Sequence, residues 1–130
     1  MEAGSSPKRL TTTRRVKYRE SAWRVHEFEV WSGELLCRAA VLRMDGSALV
    51  WLGAQDAQLG DMALGMPHEN GALATALLGS ADDAVRLARR LAAARARPAH
   101  VCCSLALNRF TAPLVERALA AELKAHPDCF

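Results

Sequence analysis

Ser47-Ala-Leu-Val-Trp-Leu-Gly-Ala54, followed by Asp61-Met-Ala-Leu-Gly-Met66 and then by Ala76-Leu-Leu-Gly79, decides how this chain is read. These segments are apolar at consecutive positions, and successive side chains of a strand point to opposite faces of its sheet. A strand that is hydrophobic on both sides needs cover on both sides. The rest of the chain offers two helical segments, enough for one face. The second face therefore looks to another protein for its cover, and Leu49, Val50, Trp51 and Leu52 form the candidate partner interface. Full cover of one large apolar side chain contributes about 1.5–3 kcal/mol, so leaving these four half uncovered forfeits several kcal/mol.

Working outward, Val25 to Trp31 alternates His26, Phe28 and Val30 against Glu27 and Glu29, the pattern of a half-exposed strand near an edge. Ser32-Gly33 is a turn, Leu35 to Met44 a second strand, and Asp45-Gly46 has the chemistry of a type I′ hairpin turn returning as Ala48 to Gly53. Met62 to Met66, short, apolar and ended by Pro67, suits a strand or a helical turn and is read as a fourth strand. The Pro67–Gly71 segment is a loop, and Ala72 to Leu78 is a fifth strand.

Ser80-Ala-Asp-Asp83 resembles a capping box, with the Ser80 hydroxyl directed at the first turn of a helix. That helix places Ala84, Leu87, Ala88 and Leu91 on one face and turns Arg86, Arg89 and Arg90 away, as a solvated basic face. Pro98 stops it. Val101 to Leu107 is the sixth strand. Thr111 caps a last helix with Pro113 in its first turn and Val115, Ala118, Leu119 and Leu123 as its apolar stripe, up to Pro127. Five strands, a helix, a strand and a helix predict an α+β fold. Its sheet is six-stranded and mainly antiparallel, with both helices packed on one face and the other face used for dimerisation.

The chain has 130 residues, half of them apolar, which is ample for one core and short for two. Residues 21–130 are expected to form the single domain. Its net charge of +3 is unevenly spread: before Glu20, six Lys or Arg face Glu2 alone, a net +5 on a stretch with little to bury. Residues 1–20 therefore read as a disordered basic tail. Tyr18 is the one aromatic residue there, too little for base stacking, so no nucleic-acid partner is expected. No apolar run is long enough for a membrane span, and the first residues lack a secretory pattern. A cytoplasmic location is expected, with a nuclear one beside it.

Chemistry is sparse. Cys37, Cys102, Cys103 and Cys129 contain no CxxC pair and read as reduced thiols; Cys102 and Cys103, neighbours on a strand, point to opposite faces. His26, His68, His100 and His126 are too dispersed for a local metal motif, and Ser104 does not stand in a GxSxG elbow. Gly53, Gly60, Gly65 and Gly79 form neither a GxGxxG nor a Walker loop. No catalytic residue, metal or cofactor is expected, and the chain is read as a non-enzyme.

One pattern is more specific. His26 through Phe28, then Val41, Arg43 and Trp51-Leu-Gly-Ala54, followed by Met62-Ala-Leu with Met66, Leu77-Leu-Gly79 and Leu87-Ala-Arg-Arg-Leu91, is similar in order and spacing to the proteasome assembly chaperone 4 family. The similarity continues through Val101 with Ser104 and Leu105, and Leu114-Val-Glu-Arg117, to Pro127 and Phe130. This resemblance implies a non-enzymatic chaperone that pairs with proteasome assembly chaperone 3 and helps the 20S proteasome α subunits assemble into their ring, absent from the mature particle. Independently of the resemblance, the doubly apolar sheet predicts that the isolated chain is a poorly behaved monomer or a homodimer. The alternative is a general α+β interaction adaptor with no link to the proteasome.

Overall fold

Turn chemistry sets the front of the sheet. In the computed structural model, which describes residues 15–33, 35–79 and 82–130, strand β1 (Val25–Ser32) pairs antiparallel with β2 (Leu35–Met44). Strand β2 pairs in turn with β3 (Ser47–Gly53), and Met44 faces Ser47 across Asp45-Gly46. Gly46 sits at φ +80°, which the two-residue hairpin requires and a side chain would strain. A third hairpin joins β4 (Asp61–His68) to β5 (Gly71–Leu78), with His68 opposite Gly71, so the expected Pro67–Gly71 loop contracts to Glu69-Asn70. Pro67 lies inside β4 rather than ending it. Pairing of β4 with its other neighbour stops at Gly65, so the missing N–H of Pro67 interrupts no ladder on that side.

Helix α1 (Asp82–Arg95) carries the chain over the sheet to β6 (Ala99–Cys103), which inserts between β3 and β4. The sheet order is β1-β2-β3-β6-β4-β5. Four of its contacts are antiparallel, but β3 and β6 run parallel, with Val50 beside Val101. The sheet is therefore mixed. The helical crossover makes β6 run the same way as β5, and β3 shares that direction, so the insertion of β6 beside β3 is a parallel contact. Strand β6 also ends at Cys103, short of the expected Leu107. The backbone N–H and the hydroxyl of Ser104 both donate to the Leu52 carbonyl, at 2.9 and 3.2 Å, and Leu105 and Leu107 then pack against the core.

Both helices cover the same face. Ala84, Leu87, Ala88, Leu91 and Ala92 are the buried side of α1, matching the sequence periodicity with one further residue, Ala92. The helix descends so closely on β4 that a Cβ on Gly65 would collide with the Ala88 carbonyl. Asp82 and Asp83 occupy the first turn, where carboxylates complement the helix dipole; Ser80 and Ala81, the start of the expected capping box, lie outside the described residues.

Helix α2 (Ala112–Ala125) buries Ala112, Val115 and Leu119, with Ala118 and Leu123 half-buried. The Thr111 hydroxyl does not cap it. Thr111 already has helical backbone angles, φ −88° and ψ −30°, and its hydroxyl accepts the Asn108 N–H at 2.9 Å instead. The Asn108 side-chain oxygen accepts the N–H groups of Phe110 and Thr111, at 2.8 and 2.9 Å, and so closes the turn that leads into the helix. A short 3-10 turn, Pro127–Cys129, then delivers the fully buried Phe130 to the core, where the Arg95 guanidinium donates to its carbonyl.

Candidate partner interface

The cross-strand register defines the face turned away from the helices. One row runs Val25, Leu42, Leu49, His100, Leu64 and Thr75 across all six strands; the next runs Glu27, Ala40, Trp51, Cys102, Met62 and Leu78. The centre of both rows is apolar, and no helix lies over it. Leu42, Leu49, Trp51, Met62 and Leu64 are only partly covered, by one another. Toward the β5 edge Leu73 and Leu78 are more than half exposed. An uncovered apolar surface of this breadth, with polar groups at its margin, is the anatomy of a protein–protein contact.

The four sequence-predicted interface residues divide by parity. Leu49 and Trp51 lie on the open face. Val50 and Leu52 are completely buried beneath the helices, in one cluster with Leu87, Val115 and Phe130, and so offer nothing for a partner to touch. Trp51 is held in place: its indole N–H donates to the Gln58 carbonyl at 2.7 Å, and its ring occupies the space a Cβ on Gly53 would need. A fixed aromatic side chain loses little freedom on binding, which favours association.

Charge confines itself to one margin. Glu27 and Glu29 stand on β1, where the Arg38 Nε donates to Glu29 at 3.3 Å and the Trp31 indole donates to its other oxygen at 3.1 Å. His100 is the exception near the middle, with a buried Nδ1 that has no hydrogen-bond partner. Sequence reading missed His100, Leu42, Met62 and Leu64 as members of this face. The alternation of β2, with Leu36, Arg38, Ala40 and Leu42 against buried Cys37, Ala39 and Val41, is the signal that assigns Leu42 and, through the register, the rest.

Elsewhere the polar chemistry closes on itself. His26 and His126 both direct Nε2 toward the same Glu122 oxygen, at 2.6 and 3.8 Å, a tie between β1 and α2. Among the described residues, no three His, Cys, Asp or Glu side chains are placed to hold a metal ion. Burial pushes the Cys37 thiol up to about 11 and raises Cys102 and Cys103 as well, so these sulfurs stay protonated and unreactive. Cys103 belongs to the helix-covered core and Cys102 to the open-face row, on opposite sides of β6 as the sequence implies. Among the described residues, no helix is long and apolar enough to cross a membrane.

Comparison with known proteins agrees with the sequence pattern. No curated protein matches the chain. Among solved structures, a chain from the "Crystal Structure of a Novel Chaperone Complex for Yeast 20S Proteasome Assembly" is similar at 14% identity and a TM-score of 0.47, over 83% of this chain and 94% of that one. The profile of proteasome assembly chaperone 4 matches residues 37–105, from the buried start of β2 through β6 to Leu105, more than half of the chain. The chain belongs to the proteasome assembly chaperone 4 family.

Proposed function

We propose that this protein is a non-enzymatic chaperone of 20S proteasome assembly that works as a heterodimer with proteasome assembly chaperone 3. The pair binds α subunits, favours their arrangement into a ring and leaves before the particle matures. The observation that carries the reading is the uncovered apolar face centred on Leu49, Trp51 and Leu64, in a chain of this family. Such a face is costly to leave wet and useful only when paired. Leu49 and Trp51 make the partner contact, whereas Val50 and Leu52 support it from behind. The setting is cytoplasmic and nuclear.

Native gels probed for this protein provide the test. It is expected with free α subunits or incomplete rings and absent from peptidase-active 20S particles, and its depletion is expected to accumulate unassembled α subunits. Stoichiometric presence in mature particles, or unaltered ring formation after depletion, overturns the reading.

A further inference from the structure

The two helices leave a seam on the side of the molecule opposite the open sheet face. It is a groove of about 740 Å³ with a floor of Leu87, Leu91, Leu119 and Leu123. Alanines, Ala94 and Ala120 among them, form its walls and keep it wide enough to admit another segment.

The charge around it is one-sided. Arg90, Arg117 and Lys124 line the groove with a single acid, Glu116. That acid is already spent within the molecule: Arg86 donates to one of its oxygens and Arg90 to the other, each at 3.0 Å. Arg86 is thus a tie between the helices, held also by Asp83 at 2.7 Å, rather than part of a solvated face. Among the described residues, no carboxylate lies within 4.0 Å of Arg117 or Lys124. An apolar trough flanked by two uncompensated cations is complementary to a helix that is apolar on one side and acidic along its borders. A second copy of the chain is a poor occupant, because its own outer helix surfaces are basic.

We infer that the α1–α2 groove is a second docking site, for an acidic amphipathic helix of a partner protein, separate from the open face of the sheet. The inference does not depend on the proposed role in proteasome assembly, and its test leaves that role untouched.

The test uses the full chain and a fluorescein-labelled 15-residue helical peptide with Leu at the groove-facing positions and Glu at the others. Saturable binding is expected by fluorescence anisotropy, at least tenfold weaker in 500 mM than in 50 mM NaCl. A counterpart with Lys for every Glu is expected to bind at least tenfold more weakly. Arg117→Glu with Lys124→Glu, both exposed and checked for fold by circular dichroism, should cost a further tenfold or more. Ala120→Trp, which fills the trough without altering charge, should do the same. Methyl resonances of Leu119 and Leu123 should move on titration, with those of Leu49 and Leu64 still. Equal affinity for the Lys peptide, unaltered affinity in both variants, shifts confined to Leu49 and Leu64, or no saturation below about 1 mM would each overturn the inference.

Discussion

Gly65 shows how a single position sets the distance between layers. It stands on β4 directly beneath α1, and a methyl group there would press on the Ala88 carbonyl, which is backbone and cannot swing aside. Gly65→Ala is expected to destabilise the fold by about 1–3 kcal/mol, the usual cost of overpacking, measured by chemical denaturation. A change within 0.5 kcal/mol would mean that the helix can lift without loss. Cys37 acts through protonation. Its thiol is pushed up to about 11 from an ordinary 9.0, chiefly by burial. Below about pH 9 the thiol is neutral in both the folded and the unfolded chain, and its contribution is complete. Between about pH 9 and 11 the unfolded chain releases the proton while the folded one retains it, so stability falls as pH rises. Thermal midpoints measured across that window should drop more steeply for the parent than for Cys37→Ala, and parallel curves would contradict the assignment.

At the scale of elements, the segment preceding β1 is expected to add little, being basic and poor in groups to bury. Residues 15–24 are exposed, and residues 1–14 of the expected basic tail lie outside the described residues. Deleting residues 1–20 is expected to leave the melting temperature and the yield of partner complex unaltered, by calorimetry and co-purification; a large fall in either would make the segment part of the fold. The elements themselves were largely legible. Asp45-Gly46 marked its hairpin, and the spacing of Ala84, Leu87, Ala88 and Leu91 marked the buried side of α1, because turn geometry and helical period are local properties. What was not legible is non-local. Nothing in Val101-Cys-Cys103 says that β6 enters between β3 and β4, and the parallel contact follows only from that placement. The run Leu49-Val-Trp-Leu52, apolar throughout, hides which alternate pair faces the helices. The mixed polarity of neighbouring β2 resolves it through the register. Thr111 misled for a different reason: the residue type suits a cap, but its hydroxyl is turned back to the Asn108 N–H and its backbone is already helical.

The whole molecule is a sheet with one finished side. Helices α1 and α2 and Phe130 close one face around Val50, Leu52 and Val101, while the other presents Leu49, Trp51 and Leu64 uncovered. Substitutions on the two faces of the sheet should therefore fail in different ways. Leu52→Asp puts a charge into the core without a partner and should prevent stable folding. Leu49→Asp with Leu64→Asp places charges at a solvent-facing surface and should leave the isolated fold intact. The most direct measurement is light scattering after size exclusion of the Leu49→Asp/Leu64→Asp protein co-expressed with proteasome assembly chaperone 3. The parent is expected to elute as a one-to-one heterodimer and the double variant as a folded chain without its partner. A double variant that pairs as tightly as the parent would contradict the claim that the open face is the pairing surface.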